Sequence, residues 1–141
     1  MSYEGVRDWF GIECKSLINF REGKWEFGGL DIPGLQGFEV NIGKISSESK
    51  NLQKISDLIL ALDNLQFNDC QKRKKWHERL KKENDPAIRL EITRRLLDSE
   101  DKSYQNVLEI VRLLKETKSI IDDPKESSND IEFRLEEVLS R

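Results

Sequence analysis

From Ser47 onward, apolar residues recur at helical intervals. Leu52, Ile55, Leu58, Ile59, Leu62 and Leu65 are three and four apart and so share one helix face. The same phase continues through Cys70, Trp76 and Leu80. It predicts a helix over residues 47–82, about 50 Å long if continuous, with Asn68-Asp69 the place where a break would fall if it is not. Asp85-Pro86 marks a fresh start, because aspartate caps free amides and proline at the first helical position gives up no hydrogen bond. Ile88, Ile92, Leu96 and Leu97 predict a helix ending near Asp98, after which Ser99 or Ser103 offers a cap for the next. There Tyr104, Val107, Leu108, Val111, Leu114, Lys118 and Ile121 follow one face as far as Asp122-Asp123-Pro124. The residue before a proline is disfavoured in the α region, so the helix ends there. Beyond a PKESSND linker, Ile131, Leu135, Val138 and Leu139 predict a last helix.

The first third behaves differently. Seven of the eight glycines lie between Gly11 and Gly43 and none follows, so this part must turn repeatedly. Residues 3–20 carry Val6, Trp9, Phe10, Leu17 and Ile18 at spacings that favour a short amphipathic helix, interrupted by Gly11. In LINFREGKWEF, Glu22-Gly23 separates two β-prone pieces and reads as a hairpin turn, and Pro33-Gly34 is another turn. The alternation Phe38, Val40, Ile42 fits a half-buried strand. The expected fold is mainly α: a four- or five-helix bundle with a small N-terminal β-hairpin or ribbon. It forms a single domain over 1–141, with a mixed helix and β-ribbon appendage at 1–45 and a helical bundle at 46–141.

A chain of 141 residues is the size of one ordinary domain. Its charged fraction of 36% exceeds the roughly 25% of an average soluble domain and suits long solvated helices. No run approaches the roughly 18 apolar residues of a membrane span, and MSYEGVRDWF lacks the apolar stretch of a secretory signal. No membrane partner is expected. Cys14 and Cys70 lack metal-ligand spacing and are too few for a disulfide framework. The expectation is two free, partly buried thiols and, by default, a cytoplasmic location.

Catalysis needs convergent groups, and few are offered. His77 is the single histidine, sits in KKWHERL among cations, and reads as a helix-surface residue. Asp57, Asp63, Asp69 and the acids of the last helix fall on polar faces, where solvation and pairing within a helix explain them. Gly28, Gly29, Gly34 and Gly37 match no phosphate-loop pattern. No catalytic residue, metal or cofactor is expected.

Charge is the informative irregularity. Residues 72–95 hold ten Lys/Arg against four acids, a balance of +6 in a chain of net −3, while residues 96–141 hold seven against twelve, a balance of −5. One reading has the basic stretch paired with the acidic C-terminal region inside the bundle. Another is a phosphate-binding face: Lys72, Arg73, Lys74, Lys75, Arg79, Lys81 and Lys82 release counterions, Trp76 stacks on a base, and Arg89, Arg94 and Arg95 extend the surface. A third is a docking surface for an acidic protein. Trp76, in phase with Leu62, Leu65 and Leu80, reads as a core or groove residue, and Trp9 and Trp25 as core.

In general character, a small helical domain with a basic face resembles two broad groups. These are the helical small subunits of CRISPR-type ribonucleoprotein effectors and the helical adaptor modules of bacterial signalling and defence systems. The resemblance rests on no diagnostic motif and carries no residues across. The leading expectation is a non-enzymatic helical protein-binding module, an adaptor or subunit of a larger assembly. The alternative is a nucleic-acid-binding small subunit using residues 72–95.

Overall fold

A computed structural model describes residues 14–28, 37–43, 49–123 and 127–141. The Glu22-Gly23 turn joins β1 (Ile18–Arg21) to β2 (Lys24–Phe27), and Gly23 takes a φ of 75°, which its missing Cβ permits. β3 (Glu39–Asn41) completes an antiparallel sheet in the order β1-β2-β3. Trp25 on the central strand pairs with Phe20 on one side and Val40 on the other. Trp25, Phe27 and Val40 are buried, with Phe38 and Ile42 packed partly beneath them, so the alternation predicted at 38, 40 and 42 holds. Ile18 to Phe20, which fall both at the end of the expected helix and in the β-prone piece before Glu22-Gly23, form a strand, because they pair with Phe27 to Trp25. Residues 14–17 of that predicted helix are not helical either, and its remainder, with Trp9, and the Pro33-Gly34 turn lie outside the described residues.

Among the described residues there are three helices, not the four or five of the expected bundle. These are α1 (Lys50–Lys82), α2 (Pro86–Ile121) and α3 (Ser128–Ser140). Each has an oxygen-bearing cap. Ser49 accepts from the Leu52 amide, Asp85 from Ala87 with Pro86 opening the helix, and Ser127 from Asp130. The predicted helix end near Asp98 does not occur. Ser99 lies inside α2, and α1 runs unbroken through Asn68-Asp69, since neither stretch contains the glycine or proline that would stop a helix.

The residues 83–85 fold α2 back along α1 as an antiparallel hairpin. Along α1, Leu52, Ile55, Ile59, Gln66 and Arg73 are buried at heptad-like spacing. Along α2, Leu96, Glu100, Ser103, Val107, Ile110, Leu114 and Thr117 are buried at alternating steps of four and three. The base of this seam is apolar. There α1, α2, α3 and the sheet share one core containing Ile55, Ile59, Val107, Ile110, Leu113, Leu135, Trp25 and Val40. Each such buried side chain contributes about 1.5–3 kcal/mol of transfer free energy. Further toward the tip the seam turns polar at Gln66, Arg73, Glu100 and Ser103.

The polar middle of α1 also holds the N-terminal segment. Asp63 accepts the Leu17 amide at 2.8 Å and the Ser16 hydroxyl, and Gln66 donates to the Lys15 carbonyl at 2.8 Å. One turn further, Cys70 is joined to Cys14 by a disulfide, which replaces the two free thiols expected. Pairing was invisible in the spacing because it depends on a contact across 56 residues. No described helix is long and apolar enough to cross a membrane.

Candidate binding surface at the hairpin tip

The basic stretch occupies the last third of α1 and the first third of α2, so the hairpin brings its two halves together at the tip. Lys72, Lys74, Lys75, Arg79, Lys81 and Lys82 are exposed on α1, and Arg89, Arg94 and Arg95 on α2. Arg73 is not part of this surface. It is fully buried, and its Nη1 donates to the Ser99 carbonyl at 3.2 Å and to the Ser99 and Ser103 hydroxyls at 2.8 Å each. Seven residues separate Arg73 from Gln66, and seven more separate Gln66 from Ile59. That spacing puts Arg73 on the seam, a signal hidden by the uniform look of KRKK.

Three of the exposed cations are engaged locally. Lys81 pairs with Glu78 at 3.3 Å and Arg95 with Glu91 at 3.1 Å, while Arg89 donates to the carbonyls of Leu80 and Glu83. Lys72, Lys74, Lys75, Arg79, Lys82 and Arg94 make no ion pair among the described residues. None of these six forms a direct ion pair with the described part of the acidic C-terminal region, as one of the readings above expected. α3 packs at the opposite end of the hairpin, where Glu132 binds Ser49 and Asn51, and Arg134 and Arg141 take Asp123 and Glu116. α1 is about 48 Å long at ~1.5 Å per residue, several Debye lengths at physiological salt, so the acids of α3 do little at the tip.

Trp76 is half-buried and walls a groove with Arg79, Ala87, Ile88, Ile92 and Arg95. An indole face beside two guanidinium groups can stack a planar group or hold an anion. His77 is half-buried, and its Nε2 meets no hydrogen-bond partner among the described residues. No cluster of three His, Cys, Asp or Glu fit for a metal exists among them. A second groove further down the hairpin, lined by Leu65, Asp69, Asp98 and Asp101, was missed in the sequence, where each acid reads as ordinary solvated helix surface.

No protein-family model matches this chain, and neither does any curated protein or solved structure.

Proposed function

We propose that the chain is a non-enzymatic helical binding module, an adaptor or subunit of a larger assembly, that engages an acidic protein surface with its hairpin tip. The observation that carries this reading is the set of exposed cations without ion pairs, Lys72, Lys74, Lys75, Arg79, Lys82 and Arg94, at the end of the hairpin remote from α3. A single surface pair is worth about 0–1 kcal/mol, too little for affinity. A cluster of one sign raises the local potential, speeds encounter with an anionic partner and selects against cationic ones. The reading as non-enzymatic rests on these groups facing solvent separately instead of converging on one reacting atom.

A second reading, binding of nucleic acid, is favoured by the Trp76 groove, which sets a stackable indole between Arg79 and Arg95. Fluorescence anisotropy with a labelled polyglutamate peptide and a labelled single-stranded RNA of equal charge separates the two. Peptide binding that matches or exceeds RNA binding supports the protein reading. RNA binding tighter by tenfold or more, about 1.4 kcal/mol, replaces it with the second. Failure of both probes at low salt removes the tip as a binding surface.

On location, the Cys14–Cys70 disulfide weighs against the expected cytoplasm, where such bonds are rare. Alkylation in the native cell followed by mass analysis decides it. A reduced pair keeps the cytoplasmic placement and an oxidised pair removes it.

A further inference from the structure

We propose that the hairpin pairs with a second copy of this chain, antiparallel and face to face, so that the basic groove at the tip of each covers the acidic groove of the other.

Both grooves lie on one face. On α1 the residues 65, 69, 72, 76 and 79 follow steps of four, three, four and three, and Leu65, Asp69, Trp76 and Arg79 among them line the grooves. On α2 the residues 88, 91, 95, 98, 102 and 105 alternate three and four, and all of them line one groove or the other. Two such heptad stripes side by side are the surface that a further helix pair packs on in a four-helix bundle. The opposite side of α1 is already covered, since Cys70, Gln66 and Asp63 hold the segment at 14–17. On the proposed face apolar side chains stand open: Leu65 is 52% exposed, and Leu58, one heptad earlier, and Ile88 are each 37% exposed.

Charge selects the occupant. The tip groove carries Arg79 and Arg95 against Glu91, and the other carries Asp69, Asp98 and Asp101 against Lys102. The two have opposite sign and sit in sequence along one straight hairpin. A two-fold axis crossing the hairpin between them, near Lys72, lays the basic groove of each copy over the acidic groove of the other. The two Lys72 residues then meet at the axis, each one helical turn from Asp69 of the other copy. This is the self-complementary arrangement that a two-fold dimer requires. The area suffices: around an axis near Lys72 the two copies overlap over about 30 Å of the face, and across two helices of ~10 Å this offers roughly 600 Å² per copy, the lower end of a standard interface. The cations Lys75, Lys82 and Arg94 lie off this face by their helical phase, so the dimer would leave them free at both ends.

The test is a reciprocal charge swap read by light scattering with the full chain. One variant carries Arg79→Glu and Arg95→Glu, the other Asp69→Arg and Asp98→Arg. Each alone sets like charge against like at both grooves, whereas their mixture restores opposite charge at both. The wild-type chain is expected at about twice the 16.5 kDa monomer mass, each variant alone as monomer, and the equimolar mixture as dimer again. Leu65→Arg, at an exposed position, sets a cation in the acidic groove opposite Arg79 of the second copy and is expected to fold and stay monomeric. A wild-type monomer up to about 100 μM, where micromolar association would be saturated, overturns the proposal. So does dimerisation unaffected by either swap, or a mixture that stays monomeric.

Discussion

The Arg73 guanidinium donates to the Ser103 hydroxyl at 2.8 Å across the seam of the hairpin, a cation held between helices and not on the basic surface of which its sequence neighbours form part. Two consequences separate this residue from those neighbours. Ser103→Ala removes one acceptor from a buried charged donor and should cost about 1.5–3 kcal/mol in urea unfolding. Arg73→Met fills similar space without charge, so anion binding at the tip should keep its salt dependence. Lys75→Glu, about half a turn away on the surface, should weaken it.

The Cys14–Cys70 bond closes a loop across 56 residues. Chain-entropy arguments value such a closure at about 4 kcal/mol, an upper figure where the unfolded chain retains structure. A reductant, or Cys14→Ser with Cys70→Ser, is expected to lower the melting temperature markedly. A melting point unmoved by reduction would mean that the bond does not constrain the fold.

Asp63 is fully buried and ties the start of β1 to α1 through the Leu17 amide, the Ser16 hydroxyl and the Gln66 amide at 3.1 Å. Asp63→Ala strands three donors and should cost about 2–3 kcal/mol or more. Asp63→Asn keeps one acceptor oxygen and should cost less. Hydrogen exchange at Leu17 reads the effect locally: its amide should lose protection in the alanine variant while those at the α2–α3 contact change little.

On α2, Arg112 bonds Glu109 and Glu116, and Arg141 reaches Glu116 from the C-terminus. The hydrogen bond from Arg112 holds the Glu109 carboxyl below its ordinary value of 4.5, with the cation's charge acting in the same direction and desolvation opposing. A folded value lower than the unfolded one means the stabilisation is fully present above the unfolded value. It is lost as pH falls through the folded one. Partial exposure keeps the gain small. Wild-type stability should therefore fall faster than that of Glu109→Gln below about pH 4.5 and run parallel to it above, as denaturant titrations across pH would show.

Local signals exposed much of this architecture and long-range ones little. Asp85-Pro86 marked the start of α2 and Glu22-Gly23 the hairpin because capping and turning are decided by neighbours in sequence. The expected helix end near Asp98 failed because a polar residue inside a helix can be satisfied by a tertiary partner, as Ser99 is by Arg73. Arg73 itself was misplaced on the binding surface for the same reason. The remaining basic candidates were legible because exposed charge follows composition. Whether they would be neutralised was not, since it turns on where α3 docks. The acidic groove needed the hairpin fold to bring Asp69 beside Asp98.

The most direct test of the account measures binding of the polyglutamate peptide over a series of salt concentrations, comparing wild type with Lys74→Glu, Lys75→Glu, Lys82→Glu. These three positions are exposed and make no ion pair among the described residues, so the fold should persist, as circular dichroism would verify. The account predicts wild-type affinity that falls steadily with salt and is lost in the variant. Equal binding by both proteins, or affinity indifferent to salt, would contradict it.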